Sequence, residues 1–175
     1  MVISLNILKS EKNYTGDALN ALKKLKIRPQ KISLLKLKKK VLVVDAMFGI
    51  GLKRKIRGTL KKIFDQINKA DNLVLSVDIP SGICANTGKI LGNAIKADFT
   101  VTFHRKKLGH ILGFGKQYSG KLQVADIGFV QKKMKTRSLE NSPNLWINHF
   151  PWKKPSGHKY SRGRVVVYGG QRELT

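Results

Sequence analysis

The chain has 175 residues, 41% of them hydrophobic, which is enough for one soluble domain with a real core. It has no apolar run near the roughly 20 residues that cross a bilayer and no signal-peptide pattern, and its one cysteine, Cys84, excludes an internal disulfide, so a cytoplasmic protein is expected. Its 35 Lys and Arg residues against 10 Asp and Glu give a net charge of +25, which directs attention to nucleic acid or phosphate-bearing ligands.

The positive charge is distributed along the whole chain rather than concentrated in one stretch. Aromatic residues make up only 7% of the sequence and do not alternate with the basic ones, as they do in proteins that bind single-stranded nucleic acid. A generally lysine-rich background explains this composition better than a nucleic-acid site does, so nucleic acid is not the expected partner.

The N-terminal part predicts one strand and one helix. Residues 2–8 alternate as a strand does, and residues 18–26 follow the capping residue Thr15 as a helix does. Leucines at three-residue spacing in this helix form an apolar stripe that we expect to pack on a sheet. They are Leu19, Leu22 and Leu25. For residues 27–40 the sequence does not decide between a short strand and a helical turn.

The next stretch is the one around which we expect a site to form. Residues 41–44 are apolar and mostly β-branched, too few for a helix and too uniformly apolar for a half-exposed strand, so they predict a fully buried parallel strand. Asp45 ends this strand, and a glycine-spaced turn carrying Lys53, Arg54 and Lys55 follows it. Ligands of open α/β sheets bind just beyond the carboxyl ends of the strands, so this acid and its turn are site candidates.

The same pattern returns after a helix predicted over residues 59–70. A second strand, predicted to be buried like the first, covers residues 73–77 and ends at Asp78, and a tight Pro-Ser-Gly turn follows it. Two further strands are predicted over residues 98–103 and 122–127. Strands and helices that alternate in this way predict a parallel sheet covered by helices.

Beyond residue 128 the sequence changes character. Residues 131–142 are polar and basic, as in a linker, and residues 144–152 supply apolar side chains without a clear period. The last stretch, residues 158–170, predicts the beginning of another strand.

Several polar residues outside the two turns are interpreted as structural. The basic loop 105–110 is interpreted as solvated, with closure over an anionic substrate as the alternative. The four histidines show no metal-ligand spacing, so ordinary polar roles are expected for them. Cys84 is interpreted as a small loop residue rather than a nucleophile.

The motifs around the two turns give the chain a resemblance to a known family. In family order they are VDAMFGIGL (residues 44–52), SVDIPSG (76–82), Thr87 and Gly88, TVTF (100–103) and ADIG (125–128). With these motifs the chain resembles the NAD(P)HX epimerase family, the YjeF N-terminal domain, over residues 2–130. The tail from His158 is similar to the opening of an ADP- or ATP-dependent NAD(P)HX dehydratase domain.

The resemblance implies a fold and a function. The fold is α/β, a Rossmann-like three-layer sandwich with a mostly parallel sheet, incomplete at its N-terminus. Enzymes of the family repair nicotinamide cofactors that have been hydrated on the reduced ring, by interconverting the R and S epimers. The implied substrate is hydrated NADH or NADPH, and the chain is expected to be an isomerase.

The resemblance also assigns roles to residues of the two turns. Asp45 and Ser81 would help to hold a potassium ion, since carboxylate, hydroxyl and carbonyl oxygens are the ligands that hard cations prefer. Asp78 would contact the substrate and is the candidate acid–base, because epimerisation can proceed by assisted loss and return of water. The glycine turn would bind the dinucleotide, with close backbone approach at its glycines and with its cations facing the phosphates. Its members are Gly49, Ile50, Gly51, Leu52, Lys53, Arg54 and Lys55.

The chain departs from the family pattern at both ends. The family's leading helices and its Gly-Asn-Asn-Gly-Gly-Asp phosphate loop would lie before residue 1, and Ile50 stands where the family commonly has a small hydroxyl residue. We therefore expect a partial epimerase domain over residues 1–130 and a linker over 131–157. Residues 158–175 would be the first strand of a truncated, ribokinase-like dehydratase domain, without dehydratase activity.

Three functions remain open for such a chain. The first is an epimerase whose activity is impaired by truncation. The second is a non-catalytic remnant or interaction module of a split bifunctional protein, and the third is a basic nucleic-acid-binding protein. A truncated sheet is expected to expose an unpaired edge and apolar surface. This predicts a homodimer, or pairing with a separately encoded remainder of the protein.

Overall fold

The computed structural model describes residues 3–8, 10–32, 37–129, 138–152, 157–158, 160 and 163–167. The chain divides into two compact units, Met1–Val130 and Gln131–Thr175. The strands are β1 (Asn6–Ile7), β2 (Gln30–Lys31), β3 (Leu42–Asp45), β4 (Leu73–Val77), β5 (Phe99–Phe103) and β6 (Lys121–Ala125). The α-helices are α1 (Gly16–Lys23), α2 (Gly58–Lys69) and α3 (Gly115–Ser119).

A four-stranded parallel sheet in the order β3-β4-β5-β6 forms the centre of the first unit, and β1 and β2 form a separate parallel pair. This combination of parallel strands and helices confirms the predicted α/β fold and is consistent with a Rossmann-like one. The strands of the larger sheet begin and end within two residues of their predicted bounds. The hydrophobic pattern of each strand is local, which is why the sequence alone predicts them.

Helix α2 packs against one face of this sheet. Its apolar residues recur at three- and four-residue spacing, so they form a single stripe. Ile63, Phe64 and Ile67 are buried in one cluster with Val74 of β4, and Leu60 packs partly against it. Each such side chain contributes about 1.5–3 kcal/mol when it is fully buried, so this stripe is what attaches α2 to the sheet.

The connections between the strands all reach the same face of the sheet. When parallel strands follow one another in spatial order, right-handed crossovers fall on one side. Helix α2 covers Val74, and the segment before β6 reaches the same side, where the Thr100 hydroxyl donates a hydrogen bond to the carbonyl of Ser119 at 2.7 Å. The opposite face is therefore left without a crossover of its own.

The prediction that strands β3 and β4 are fully buried is wrong for that opposite face. Leu42, Val44 and Leu73 are 59%, 54% and 58% exposed there. Apolar residues that point to the α2 side, such as Val74, are buried as predicted. The cause is the topology, because among the described residues the crossovers supply a helical layer to one face only.

Near the N-terminus the elements are shorter than predicted. The strand predicted over residues 2–8 is reduced to β1, and α1 ends three residues before its predicted end. No residue of α1 is buried, and Leu25 of the predicted stripe lies beyond the helix and is exposed. In the ambiguous segment the structure has strand β2, and residues 33–36 lie outside the described residues.

The second unit contains two 3₁₀ turns, Pro143–Leu145 and Ile147–His149. Residues 131–137 and 153–156 of the predicted linker lie outside the described residues, and so do residues 159, 161–162 and 168–175 of the last stretch. Residues 163–167, within the stretch where a strand was predicted to begin, have no regular secondary structure. Within the ranges that the structure describes, no helix combines the length and apolar character needed to span a membrane.

Candidate functional site

The two predicted acid-and-turn units lie side by side. Strands β3 and β4 are parallel neighbours, with Asp45 opposite Ser76 in the register, so both strands end at the same edge of the sheet. Asp45 closes β3, and Asp78 directly follows β4. A carboxylate and a turn from each strand therefore meet at the edge where ligands of parallel sheets bind.

The carboxylate of Asp45 connects the ends of both strands. Its Oδ1 accepts a hydrogen bond from the Ser81 hydroxyl at 2.6 Å, and its Oδ2 accepts from the Ser81 backbone N–H at 2.8 Å. The Ser76 hydroxyl also donates to Oδ2, at 3.0 Å. The Ser81 oxygen in turn accepts from the backbone N–H of Phe48 at 2.9 Å. Asp45 is only 1% exposed, so this network is internal to the fold.

The environment of Asp45 suits a bound cation. Burial raises the pKa of its carboxyl, and hydrogen bonds from Ser81, Met47 and Ser76 offset this only in part. No Lys or Arg of the described residues forms a salt bridge with it. The Ser81 hydroxyl and the Phe48 carbonyl, 3.4 Å apart, place further oxygens beside it. Carboxylate, hydroxyl and carbonyl oxygens are hard donors, so this donor set fits a hard cation.

The turn after β3 lines an open pocket of about 620 Å³. This volume is within the range of small-molecule sites. Five of the seven residues predicted to bind a dinucleotide contribute to its wall: Gly49, Gly51, Leu52, Lys53 and Arg54. Both cations of that set are exposed, so the pocket presents positive charge to whatever enters it.

The other two predicted members of the set, Ile50 and Lys55, do not line this pocket. Ile50 is 61% exposed. Lys55 precedes Ile56, whose backbone N–H donates to the carbonyl of Leu91 at 2.7 Å, so that end of the turn is held to the loop after β4. The structure therefore gathers the glycines, Leu52 and two of the three predicted cations at the pocket.

Asp78 has a left-handed backbone conformation, with φ of 69°. Such a conformation is uncommon outside glycine and costs of the order of 1 kcal/mol, so it persists only where the surroundings fix it. The Asp78 N–H donates to the carbonyl of Val101 on β5 at 2.7 Å, and its own carbonyl lies 2.8 Å from Nε2 of His110. Backbone contacts on both sides therefore hold this residue.

The Asp78 carboxylate lies between Lys107 and the glycine turn. Its Oδ1 accepts hydrogen bonds from Lys107 Nζ and from the Thr102 hydroxyl, the latter at 3.0 Å. Its Oδ2 lies 3.7 Å from the position that a Cβ atom would take on Gly49, so it faces the turn that lines the pocket. Burial raises the pKa of Asp78, but the hydrogen bonds from Lys107 and Thr102 outweigh burial and lower the pKa below its ordinary value, so the carboxyl is ionised at neutral pH.

Lys107 and His110 belong to this site although no motif in the sequence marks them, and Thr102, which lies in the TVTF motif, was given no role there. The interpretation of loop 105–110 as solvated is wrong at three positions, since Lys107 is half-buried and Gly109 and His110 are buried. A usable signal lies in the topology. The loop follows a strand that pairs with β4, so its residues arrive at the same edge of the sheet as Asp78.

Known proteins share the sequence of this region. Residues 2–109 match the family described as YjeF-related protein N-terminus. The chain is similar to the bifunctional NAD(P)H-hydrate repair enzyme Nnr of Thermofilum pendens, with 38% identity over 130 residues that cover 74% of this chain and 25% of that protein. It is also similar to the NAD(P)H-hydrate epimerase of Limosilactobacillus reuteri, with 43% identity over 98 residues that cover 56% of this chain and 46% of that protein. The chain thus spans about a quarter of the bifunctional relative and less than half of the epimerase.

Proposed function

The chain belongs to the family of YjeF-related protein N-termini, and on this premise we propose that it is an epimerase that interconverts the R and S forms of hydrated NADH and NADPH. The activity is the one named for the epimerase relative. The observation that supports it best is the 3.7 Å between Asp78 Oδ2 and the Cβ position of Gly49. Asp78 does not line the pocket itself, but this distance supports a carboxylate beside Gly49, which does line it together with Lys53 and Arg54.

The pocket suits a dinucleotide in size and in charge. Two linked phosphates require positive charge and close approach of the backbone. Lys53 and Arg54 provide the charge, and Gly49 and Gly51 provide the approach because they have no side chains. With the phosphates near these residues, the hydrated ring would lie towards Asp78.

The reaction needs one proton to be added to the leaving hydroxyl and one to be removed from the returning water. The carbon–oxygen bond breaks, the hydroxyl takes a proton from solvent and leaves as water, and the electron pair of the ring nitrogen forms a carbon–nitrogen double bond. Water then adds to the other face of the ring and gives up a proton. Asp78 rests as a carboxylate, so we assign it to accept that proton and to release it to solvent, which restores the carboxylate.

We propose further that Asp45 and Ser81 hold a potassium ion. A cation there would supply a fixed positive charge between the turns that follow β3 and β4. The chain's own contribution is the buried carboxylate, together with the hydroxyl and carbonyl oxygens beside it.

The direct test is an exchange assay. The purified chain is incubated with the S epimer alone, and the R epimer is followed by chromatography in potassium and in sodium buffer. We expect the R epimer to form faster than in buffer without protein. Exchange at the buffer rate by a folded chain would contradict the proposed activity and favour a non-catalytic module.

Potassium is expected to raise the melting temperature when it replaces sodium at equal ionic strength. Because burial raises the pKa of Asp45, ionising this carboxyl without a cation costs stability as the pH rises through that pKa. A bound cation offsets the cost and stabilises the folded state by mass action. The measurement is a thermal melt at neutral pH in each salt.

Two variants show whether the difference in melting temperature between the salts depends on Asp45. Asp45→Asn retains an oxygen for the Ser81 N–H and removes the charge, so the difference between the salts should vanish. Asp126→Asn, an exposed carboxylate that follows β6, is the matched control and should respond as the wild type does. Equal melting temperatures of the wild type in both salts would exclude the potassium site.

We also propose that the exposed sheet face pairs with a second polypeptide, which we take to be another copy of this chain. If copies pair, sedimentation at increasing concentration should show a rising mass. Val44→Glu, which puts a charge on the exposed face, should lower that mass, whereas Lys62→Glu on the exposed side of α2 should not. A monomer that melts cooperatively at every concentration would contradict pairing.

A further inference from the structure

The ammonium group of Lys107 has a full set of acceptors within the protein. Its Nζ donates to Asp78 Oδ1, to the Thr102 hydroxyl at 2.8 Å and to the carbonyl of Phe103 at 3.1 Å. An ammonium group has three N–H donors, so these contacts use all of them. Lys107 therefore differs from the exposed cations of the pocket wall, which have their charges directed to solvent.

His110 connects the backbones of the same two residues. Its Nδ1 accepts a hydrogen bond from the Lys107 backbone N–H at 3.0 Å, and its Nε2 lies 2.8 Å from the carbonyl oxygen of Asp78. Because a carbonyl can only accept, the ring must be neutral and carry its proton on Nε2. Burial lowers the pKa of His110, which keeps the ring in this neutral form at physiological pH.

These contacts together fix the direction of the Asp78 carboxylate. A carboxylate on a free side chain turns about its last torsion and exchanges its two oxygens. Here Lys107 and Thr102 hold Oδ1, so Oδ2 is kept on the side of Gly49. The backbone of Asp78 is held independently through Val101 and His110.

We propose that Lys107 is a positioning residue for Asp78, whose carboxylate it aims at the glycine turn while it makes no contact with the substrate itself. The effect on rate rests on the proposed epimerase function, whereas the coupling between the two side chains does not. A base must be aligned and unprotonated when water returns to the hydrated carbon. A displacement of about 1 Å costs about 100-fold in rate.

The experiment compares Lys107→Met, Lys107→Arg and the control Lys116→Met, which changes an exposed lysine on α3. One readout is the pH titration of the Asp78 carboxyl carbon by NMR, which requires no activity. The other is the pH dependence of kcat/KM for epimer exchange. In Lys107→Met the pKa of Asp78 and the acid limb of the rate profile should both move upward, and kcat should fall about 100-fold at nearly constant KM. Lys107→Arg should restore the low pKa of Asp78, and Lys116→Met should match the wild type.

Each other outcome has a defined meaning. An unchanged Asp78 titration in Lys107→Met overturns the inference, and so does a raised KM with an unchanged pH profile, because Lys107 would then bind the phosphates. If the wild type has no exchange activity, the proposed epimerase function is wrong, whereas the titration of Asp78 still tests the role of Lys107. If Lys107→Met does not fold, Lys107→Gln, which keeps a polar side chain without the charge, is titrated instead, and an unshifted pKa of Asp78 in that variant overturns the inference.

Discussion

Replacing Asp78 by Asn is expected to slow exchange between the R and S epimers by at least about 100-fold, because acid–base groups contribute about 10²–10⁴-fold to such reactions. The amide can neither accept nor donate the proton at neutral pH. Asn tolerates the left-handed conformation that Asp78 adopts, and its oxygen can still accept from Lys107 and Thr102. The fold should therefore survive the change.

The measurement is the exchange rate at saturating substrate, together with a thermal melt of the same preparation. Asp126→Asn is the control, since Asp126 also follows a strand of the sheet but is exposed, and its carboxylate accepts a hydrogen bond from the nearby Gly128 N–H. It should retain the wild-type rate. An Asp78→Asn protein that melts normally and exchanges the epimers at the wild-type rate would show that Asp78 does not move the proton.

Replacing Gly115 by Ala is expected to lower the free energy of unfolding by about 3 kcal/mol, the upper part of the usual range for overpacking. A Cβ atom on Gly115 would overlap the carbonyl oxygen of Gly109. Both groups are backbone, one at the start of α3 and the other in the 3₁₀ turn Leu108–His110, so neither can rotate away. For a unit of this size the melting temperature should fall by roughly 10 °C.

Gly115→Ala should also reduce the rate of epimer exchange, because it disturbs the contacts that hold Asp78. Relief of the overlap must move the turn that carries His110, and His110 holds both Lys107 and Asp78. Gly51→Ala is the stability control, since Gly51 has a negative φ and no atom within 4 Å of its Cβ position. Calorimetric melts of both variants provide the comparison. If Gly115→Ala melted at the same temperature as Gly51→Ala, α3 and the 3₁₀ turn would be able to move apart without a loss of stability, which would contradict the prediction.

The sequence predicts this fold where the deciding forces are local. Strands β3 to β6 and helix α2 each have a hydrophobic period of their own, and their predicted bounds agree with the structure to within two residues. Exposure of Leu42 and Val44 could not be predicted in this way. It depends on the side of the sheet to which each crossover passes, and an apolar strand has the same sequence whether one or both of its faces are covered.

The same distinction between local sequence and tertiary packing applies to the residues of the site. Asp45 and Asp78 are marked by their place at strand ends, and the pairing of β3 with β4 brings those ends together. Lys107 is 29 positions from Asp78 in the chain, and it reaches Asp78 only because β5 lies next to β4 and because His110 fixes the loop between them. These contacts arise from tertiary packing, which no single segment of the sequence encodes.

The exposed sheet face also affects how the first unit responds to denaturant and to temperature. Leu42, Val44 and Leu73 already contact water in the folded state, so unfolding exposes less new apolar surface than it does in a sheet covered on both sides. The m-value and the heat-capacity change of unfolding scale with that newly exposed surface. We therefore expect both to be small for a unit of this length, with a correspondingly shallow stability curve.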